Sequence, residues 1–286
     1  MLKRFGCDVV VGTGGYTTAA VLVAQRSLGG RIVIHEQNAV PGRTNRWLAR
    51  RSDKVCVSVP SSAAFFPRDK VVVTGMPVRK QFAALPDKKD ARRALGLDPD
   101  AFTILVVGGS QGARMLNKLV VGMWPLVDDG VTQVLHQVGE RNIEEVRAKQ
   151  IPNDSMYHIA PYLDMPVAMA GADLVIGRSG ASTIAEITAA GLPSILVPYP
   201  YAYADHQRLN AAYLAEHNAA IVRDQDTTTC RTLATVVTEL RSSPDKLSDM
   251  ASASASLGKV DAAKQVAEVA LSLAEDSLSR GGRGLG

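Results

Sequence analysis

The stretch ILVVGGSQGAR, residues 104–114, decides how the chain reads. An apolar, β-branched run breaks into two glycines, a serine, a glutamine and a third glycine before Arg114. A run of this kind closes a buried strand and opens a helix whose first amide N–H groups lack partners. Such a turn suits an anion. Similar short strands lie on both sides of it. Upstream are DVVVGTGG, RIVIHEQN, DKVCVSVP and KVVVTGMPVR; downstream are VTQVLHQVG, SMYHIAPY, ADLVIGRSG, PSILVPYP and AAIVRD. Strands alternating with helical segments predict an α/β chain built from parallel units.

Residues 83–100 interrupt the alternation with a polar, charged, proline-bearing tract, which predicts a linker holding one short helix. From about residue 231 to near 278 the pattern turns helical. Val260, Ala263, Val266, Ala267, Val269, Ala270 and Leu273 form a broad apolar face there. The expected organisation is a Rossmann-like domain over 1–82 and the linker. A second Rossmann-like domain with the terminal helices follows over 101–278, then a flexible glycine-rich tail over 279–286. A terminal helix is available to bridge the two domains.

Composition narrows the class. A chain of 286 residues, 46% hydrophobic and 21% charged, is that of a globular protein. Lys plus Arg number 32 against 28 acidic residues, a net charge of +4. With aromatics at 5% and no basic stripe, nucleic acid is not an expected partner. Cys7, Cys56 and Cys230 are widely spaced and form no CxxC pair, which argues against a disulfide framework or a zinc site. A reducing compartment fits best. No apolar run reaches the roughly 20 residues of a membrane span.

Two glycine loops sit where a parallel sheet binds ligands, at strand carboxyl ends. One contains Gly12, Gly14 and Gly15; the other Gly108, Gly109, Ser110 and Gly112. Neither completes the G-x-G-x-x-G fingerprint with an acidic ribose ligand about 20 residues on, since Asp128 and Asp129 read as a turn. That weighs against an NAD(P)-dependent oxidoreductase. Neither loop carries G-K-[S/T], so neither is a P-loop. Each is open to two readings, a phosphate cradle or a tight turn that needs small residues. The segment GRSGASTIAEITAAGLPSILVPYP, residues 177–200, is a strand end, a small-residue turn and a helix. Ser179 to Thr183 occupy the expected helix N-terminus, where free N–H groups and the helix dipole favour phosphate. One turn on, Glu186 suits two vicinal ribose hydroxyls, and equally a capping box with Ser182 or Thr183. Spacing leaves both readings open.

Taken in order, GTGGY, HEQNAVPGRTN, VTGMPVR, VVGGSQGAR, RSGASTIAEITAAGLPSILVPYP and DHQRLNA resemble the MurG family of peptidoglycan glycosyltransferases, from about residue 8 to about 275. The resemblance implies a GT-B fold, two Rossmann-like domains with parallel sheets facing a cleft. It implies metal-independent, inverting transfer of GlcNAc from UDP-GlcNAc to lipid I (undecaprenyl-pyrophosphoryl-MurNAc-pentapeptide), giving lipid II at the membrane surface without a cofactor. Arg79 and Ser110 would meet the diphosphate, and Leu163 would lie where the family's backbone contacts uracil. Ala181, Ser182, Thr183, Ile184 and Ala185 would offer helix amides near the phosphates, and Glu186 would bind the ribose. His206 and Gln207 would grip the GlcNAc hydroxyls, with His206 standing where several relatives carry Gln. Asn38 would contact the sugar or the acceptor.

His35 with Glu36 beside it would serve as acceptor-site residues first and as the base that activates the acceptor hydroxyl second, since imidazole titrates near neutral pH; His35 also reads as an ordinary polar residue at a strand end. Gly14, Gly15 and Tyr16 would meet the acceptor's pyrophosphate, though Tyr16 equally reads as a packing aromatic. Arg43, Arg46 and Arg50 recur at helical spacing around Trp47, either to meet anionic lipid or as a solvated basic face. Family members carry a further strand and a G-G-T-G-G-H-like loop ahead of the point where this sequence opens. The resemblance therefore implies that the first βα units of the N-terminal domain are missing from this sequence, and with them the usual base. The alternative reading is a non-catalytic or split nucleotide-sugar-binding module.

Overall fold

The computed structural model of the chain describes residues 5–109, 113–149, 151 and 154–281. It divides into two compact units. One is formed by residues 1–77 with 259–286, the other by Val78–Gly258.

The first unit holds β1 (Val9–Gly12), α1 (Tyr16–Ser27), β2 (Arg31–Glu36), α2 (Arg43–Leu48), β3 (Lys54–Val57) and β4 (Val71–Val73). The four strands pair in parallel in the order β1-β2-β3-β4. Ile32, Ile34, Val55 and Val57 alternate onto one face and meet Leu22 of α1 and Leu48 of α2 in a core fully shielded from water. Gly12 is the last residue of β1, and a Cβ there would lie 2.6 Å from both Leu22 and Thr18.

The second unit begins with the linker helix α3 (Lys88–Ala94) and continues through β5 (Phe102–Val107), α4 (Arg114–Met123), β6 (Thr132–Gln137), α5 (Ile143–Arg147), β7 (Tyr157–Ala160) and α6 (Met165–Gly171). It is completed by β8 (Leu174–Gly177), α7 (Ala181–Ala190), β9 (Ser194–Leu196), α8 (His206–Glu216), β10 (Ala220–Val222), α9 (Cys230–Arg241) and α10 (Pro244–Leu257). Its six parallel strands run β10-β9-β8-β5-β6-β7. The order reverses between β5 and β8, and ligands bind at such a switch point in doubly wound sheets. Trp124, Val120, Met123 and Leu233 pack over Ile104, Val106 and Ile176. The Tyr157 ring meets Trp124 edge-on at 5.5 Å.

The tract over 83–100 is tied down. Asp87 caps α3 by accepting from Lys89 N at 2.8 Å and Asp90 N at 3.4 Å. Buried Arg92 then donates to Gly171 O (2.8 Å) and Pro99 O (3.0 Å) and pairs with Asp173. Asp128 and Asp129 precede β6 in a turn where Asp129 accepts from Val131 N.

The terminal helices divide. α9 and α10 pack in the second unit, whereas α11 (Ala262–Gly281) lies against β1 and β2 of the first. The sequence reading assigns these helices to the second domain while leaving a terminal helix available to the first. Helical periodicity shows that a face is buried but does not name the sheet that buries it.

Candidate active site

Opposite the β5/β8 switch point a cavity of about 710 Å³ opens. Gly108 and Gly109 line it from the end of β5, and Arg178 and Gly180 from the end of β8. Gly109 sits at φ 87°, in the left-handed region that glycine enters without strain. Ser182 and Thr183 add the first turn of α7, and Tyr199, Tyr201 and Gln207 close the far wall. The helix cap is Gly180, with no side-chain capping bond. The first N–H groups of α7 thus have no capping side chain, and the dipole's positive end lies at the cavity.

One turn beyond Ser182, on the same face of α7, stands Glu186. Its Oε1 accepts from Arg79 at 3.3 Å, and the other terminal nitrogen of Arg79 lies 3.8 Å from Asp164. With the cap at Gly180 and its carboxylate on Arg79, Glu186 forms no capping box. Burial raises its pKa above the ordinary carboxylate value, and Arg79 opposes that rise.

Arg178 lines the cavity yet is buried, with 6% of its surface exposed, and among the described residues no carboxylate pairs with it. One terminal nitrogen donates to Val197 O (2.9 Å) and Pro198 O (3.1 Å), the other to Gln225 Oε1 (2.6 Å). Its guanidinium lies 5.6 Å from the centre of the Tyr199 ring. Tyr199 N donates to Gln207 Oε1 at 3.0 Å, and Ser179 Oγ donates to Gln207 O at 2.7 Å.

In the first unit, the end of β2 carries a cluster of polar side chains turned inward. His35 is buried; its Nε2 donates to Gly75 O at 2.9 Å, and Gln37 Nε2 approaches its Nδ1 at 3.3 Å. Burial pulls its pKa below the ordinary imidazole value, while Gly75 O and Glu36 pull it back. Buried Glu36 accepts from Asn38 N (3.0 Å), Gly42 N (3.2 Å) and Asn45 Nδ2 (2.8 Å). The glycine loop ahead of α1 has Gly14 at φ 95° and Gly15 at φ 85°, and Asn45 sits against Gly14. Tyr16 opens α1 with its ring largely in solvent. A separate basic hollow of about 590 Å³ is lined by Arg46, Trp47, Arg50, Arg51, Phe65 and Phe66. Arg46 lies over the Phe65 ring and Arg51 over the Trp47 ring, at 5.4 and 4.6 Å.

Residues 103–266 match the glycosyltransferase family 28 C-terminal domain, and residues 1–57 match the family 28 N-terminal domain. The UDP-N-acetylglucosamine–N-acetylmuramyl-(pentapeptide) pyrophosphoryl-undecaprenol N-acetylglucosamine transferase of Moorella thermoacetica is 43% identical, over 96% of this chain and 76% of the relative. The transferase of the same name from Exiguobacterium sp. is 40% identical over 94% of this chain and 74% of its own. The crystal structure of Acinetobacter baumannii MurG superposes with a TM-score of 0.77 at 31% identity, covering 95% of this chain and 75% of that one. The chain belongs to the MurG family of glycosyltransferases.

Of the residues read from sequence in this MurG-family chain, the structure gathers Ala181 to Glu186, Arg79 and Gln207 in the second unit. Ile184 is buried and its N–H already donates to Gly180 O at 3.0 Å, whereas Thr183, though largely buried, lines the cavity. Leu163 lies beside Asp164, which Arg79 approaches. His206 bonds back to Tyr203 O at 2.8 Å instead of lining the cavity. Ser110 lies outside the described residues. His35 and Glu36 are both buried and engaged within their own unit. Sequence reading missed Arg178, Gln225 and Asn45. The available signal for Arg178 was a lone charge directly following the apolar run LVIG.

Proposed function

We propose that this chain transfers N-acetylglucosamine from UDP-GlcNAc to lipid I, producing lipid II, and that the switch-point cavity of the second unit holds the donor. One observation carries the reading: a helix N-terminus with no side-chain cap and a glycine-lined strand end line one cavity, and Glu186, paired with Arg79, stands one turn further along that same helix. The free first-turn amides of Ala181 to Thr183 and the Gly108–Gly109 turn receive the diphosphate. Glu186 takes the ribose hydroxyls, and Arg79, released from it, moves to the phosphates. Negative charge develops on UDP as the glycosidic bond breaks. Fixed dipoles and a guanidinium at that position lower the barrier because they need little reorganisation. Gln207 holds the sugar hydroxyls.

In the first unit, the glycine loop of Gly14, Gly15 and Tyr16 takes the acceptor's pyrophosphate. His35 and Glu36 act as scaffold, fixing the loop that presents Asn38. The basic hollow and Arg43, Arg46 and Arg50 attract an anionic lipid surface at the cytoplasmic face of the membrane. Among the described residues no helix is long and apolar enough to cross a membrane.

The test is formation of lipid II from UDP-GlcNAc and lipid I by the full chain, with donor binding followed by calorimetry. Turnover is expected, together with loss of donor binding in Glu186→Ala and Arg79→Ala. Donor binding without turnover would instead mark a nucleotide-sugar-binding module. No donor binding would remove the assignment of the cavity.

A further inference from the structure

Arg178 is a buried cation that the expected donor contacts leave unexplained. Its bonds run in series toward Gln207. The guanidinium holds the carbonyls of Val197 and Pro198, where the chain leaves β9. The next residue, Tyr199, gives its N–H to Gln207 Oε1. That bond fixes which end of the Gln207 amide is committed to the wall, so the NH₂ end is the donor end offered to the cavity that Gln207 lines. Gln225 Oε1 holds the guanidinium from the other side at 2.6 Å, and the Tyr199 ring covers it. A planar fork that spans two carbonyls and an amide oxygen sets a loop's height in a way a point charge does not.

We infer that Arg178 and Gln225 form a positioning pair that orients Gln207 toward the donor's sugar, and so governs affinity for the hexosyl group without governing affinity for the nucleotide. The inference rests on the donor reading of the cavity. A hydroxyl-bearing hexose pyranoside is the chemistry Gln207 recognises, since an amide fixed at its oxygen end supplies directed N–H donors to hydroxyl or acetamido oxygens.

The experiment measures Kd for UDP and for UDP-GlcNAc by calorimetry on the full chain, with Arg178→Lys, Gln225→Leu, Gln207→Ala and the Arg178→Lys/Gln207→Ala double variant. In Arg178→Lys, UDP affinity should stay within about 3-fold while UDP-GlcNAc affinity falls about 10-fold, the usual scale for one misplaced hydrogen bond. Adding Arg178→Lys to Gln207→Ala should cost nothing further, because residues acting through one another are not additive. Gln225→Leu retains the charge and both carbonyl bonds, and should show the same selectivity at smaller size. Should Arg178→Lys fail to fold, Gln225→Leu carries the test: selective loss of sugar affinity supports the pair, and unchanged sugar affinity overturns it. Parallel weakening of UDP and UDP-GlcNAc, or additive loss in the double variant, also overturns it. If the unaltered chain binds UDP, such a failure belongs to the positioning pair alone. If it does not, the donor reading itself has failed.

Discussion

At the scale of single residues, Glu186 has two partners to choose between. In the structure its carboxylate holds Arg79, and in the proposed donor complex it holds ribose hydroxyls. Glu186→Gln should raise the KM for UDP-GlcNAc about 10- to 100-fold, since hydrogen bonds to a charged group contribute about 1.5–3 kcal/mol. Donor KM should also rise as pH falls, starting above the ordinary carboxylate value of 4.5, because burial lifts this group's pKa and protonation removes an acceptor. Steady-state kinetics across pH checks both outcomes; the Gln variant should lack the acid-side rise. Glu36 is expected to behave differently. Its oxygens accept from Asn38 N, Gly42 N and Asn45 Nδ2, so Glu36→Gln should cost about 1–3 kcal/mol of stability through a mismatched acceptor. The pH profile of kcat should keep its shape, and an altered profile would restore Glu36 as a proton-transfer group. The residue types of HEQN were legible in the sequence as a polar cluster at a strand end. Their inward orientation was not, because Gly75, the partner of His35, lies 40 positions away.

At the scale of elements, the strands were legible because each is a short β-branched run ending in turn residues, and every such run named from the sequence corresponds to a strand. The short helix in the 83–100 tract was legible too, but its anchorage through Arg92 and Asp173 was not, since their pairing depends on a fold that brings residues 81 apart together. The switch point became visible only once the order β8-β5 was known. The helix that borders it, α7, ends at Gly191 with φ 65°, and a Cβ there would lie 3.1 Å from the Cβ of Ala255 in α10. Gly191→Ala should destabilise the second unit by about 1–2 kcal/mol, the cost of a left-handed non-glycine residue, before any steric term. Chemical denaturation of the variant against the parent measures it. Stability equal to the parent would show that this helix end relaxes freely.

At the scale of the whole molecule, three histidines from the two units share a direction. Burial lowers the pKa of His35, His136 and His158, and for His136 the value falls to about 3. His136 is fully buried between Tyr157 Oη (2.7 Å) and Asn117 Oδ1 (3.1 Å). In the unfolded chain it protonates near 6.5, whereas in the folded chain it stays neutral down to about 3. Its contribution to stability is therefore complete above pH 6.5 and lost progressively as pH falls from 6.5 toward 3. The thermal midpoint should drop across that window, and His136→Gln should flatten the dependence. A midpoint constant from pH 7 to pH 4 would contradict it. The return of α11 to β1 and β2 bears on biosynthesis. The second unit is contiguous in the chain and can close while translation is still under way. The strands of the first unit precede the second unit in the chain and α11 follows it, so β1 and β2 wait through the synthesis of that whole unit for the helix that packs on them, and an apolar face uncovered for that interval is what chaperones bind.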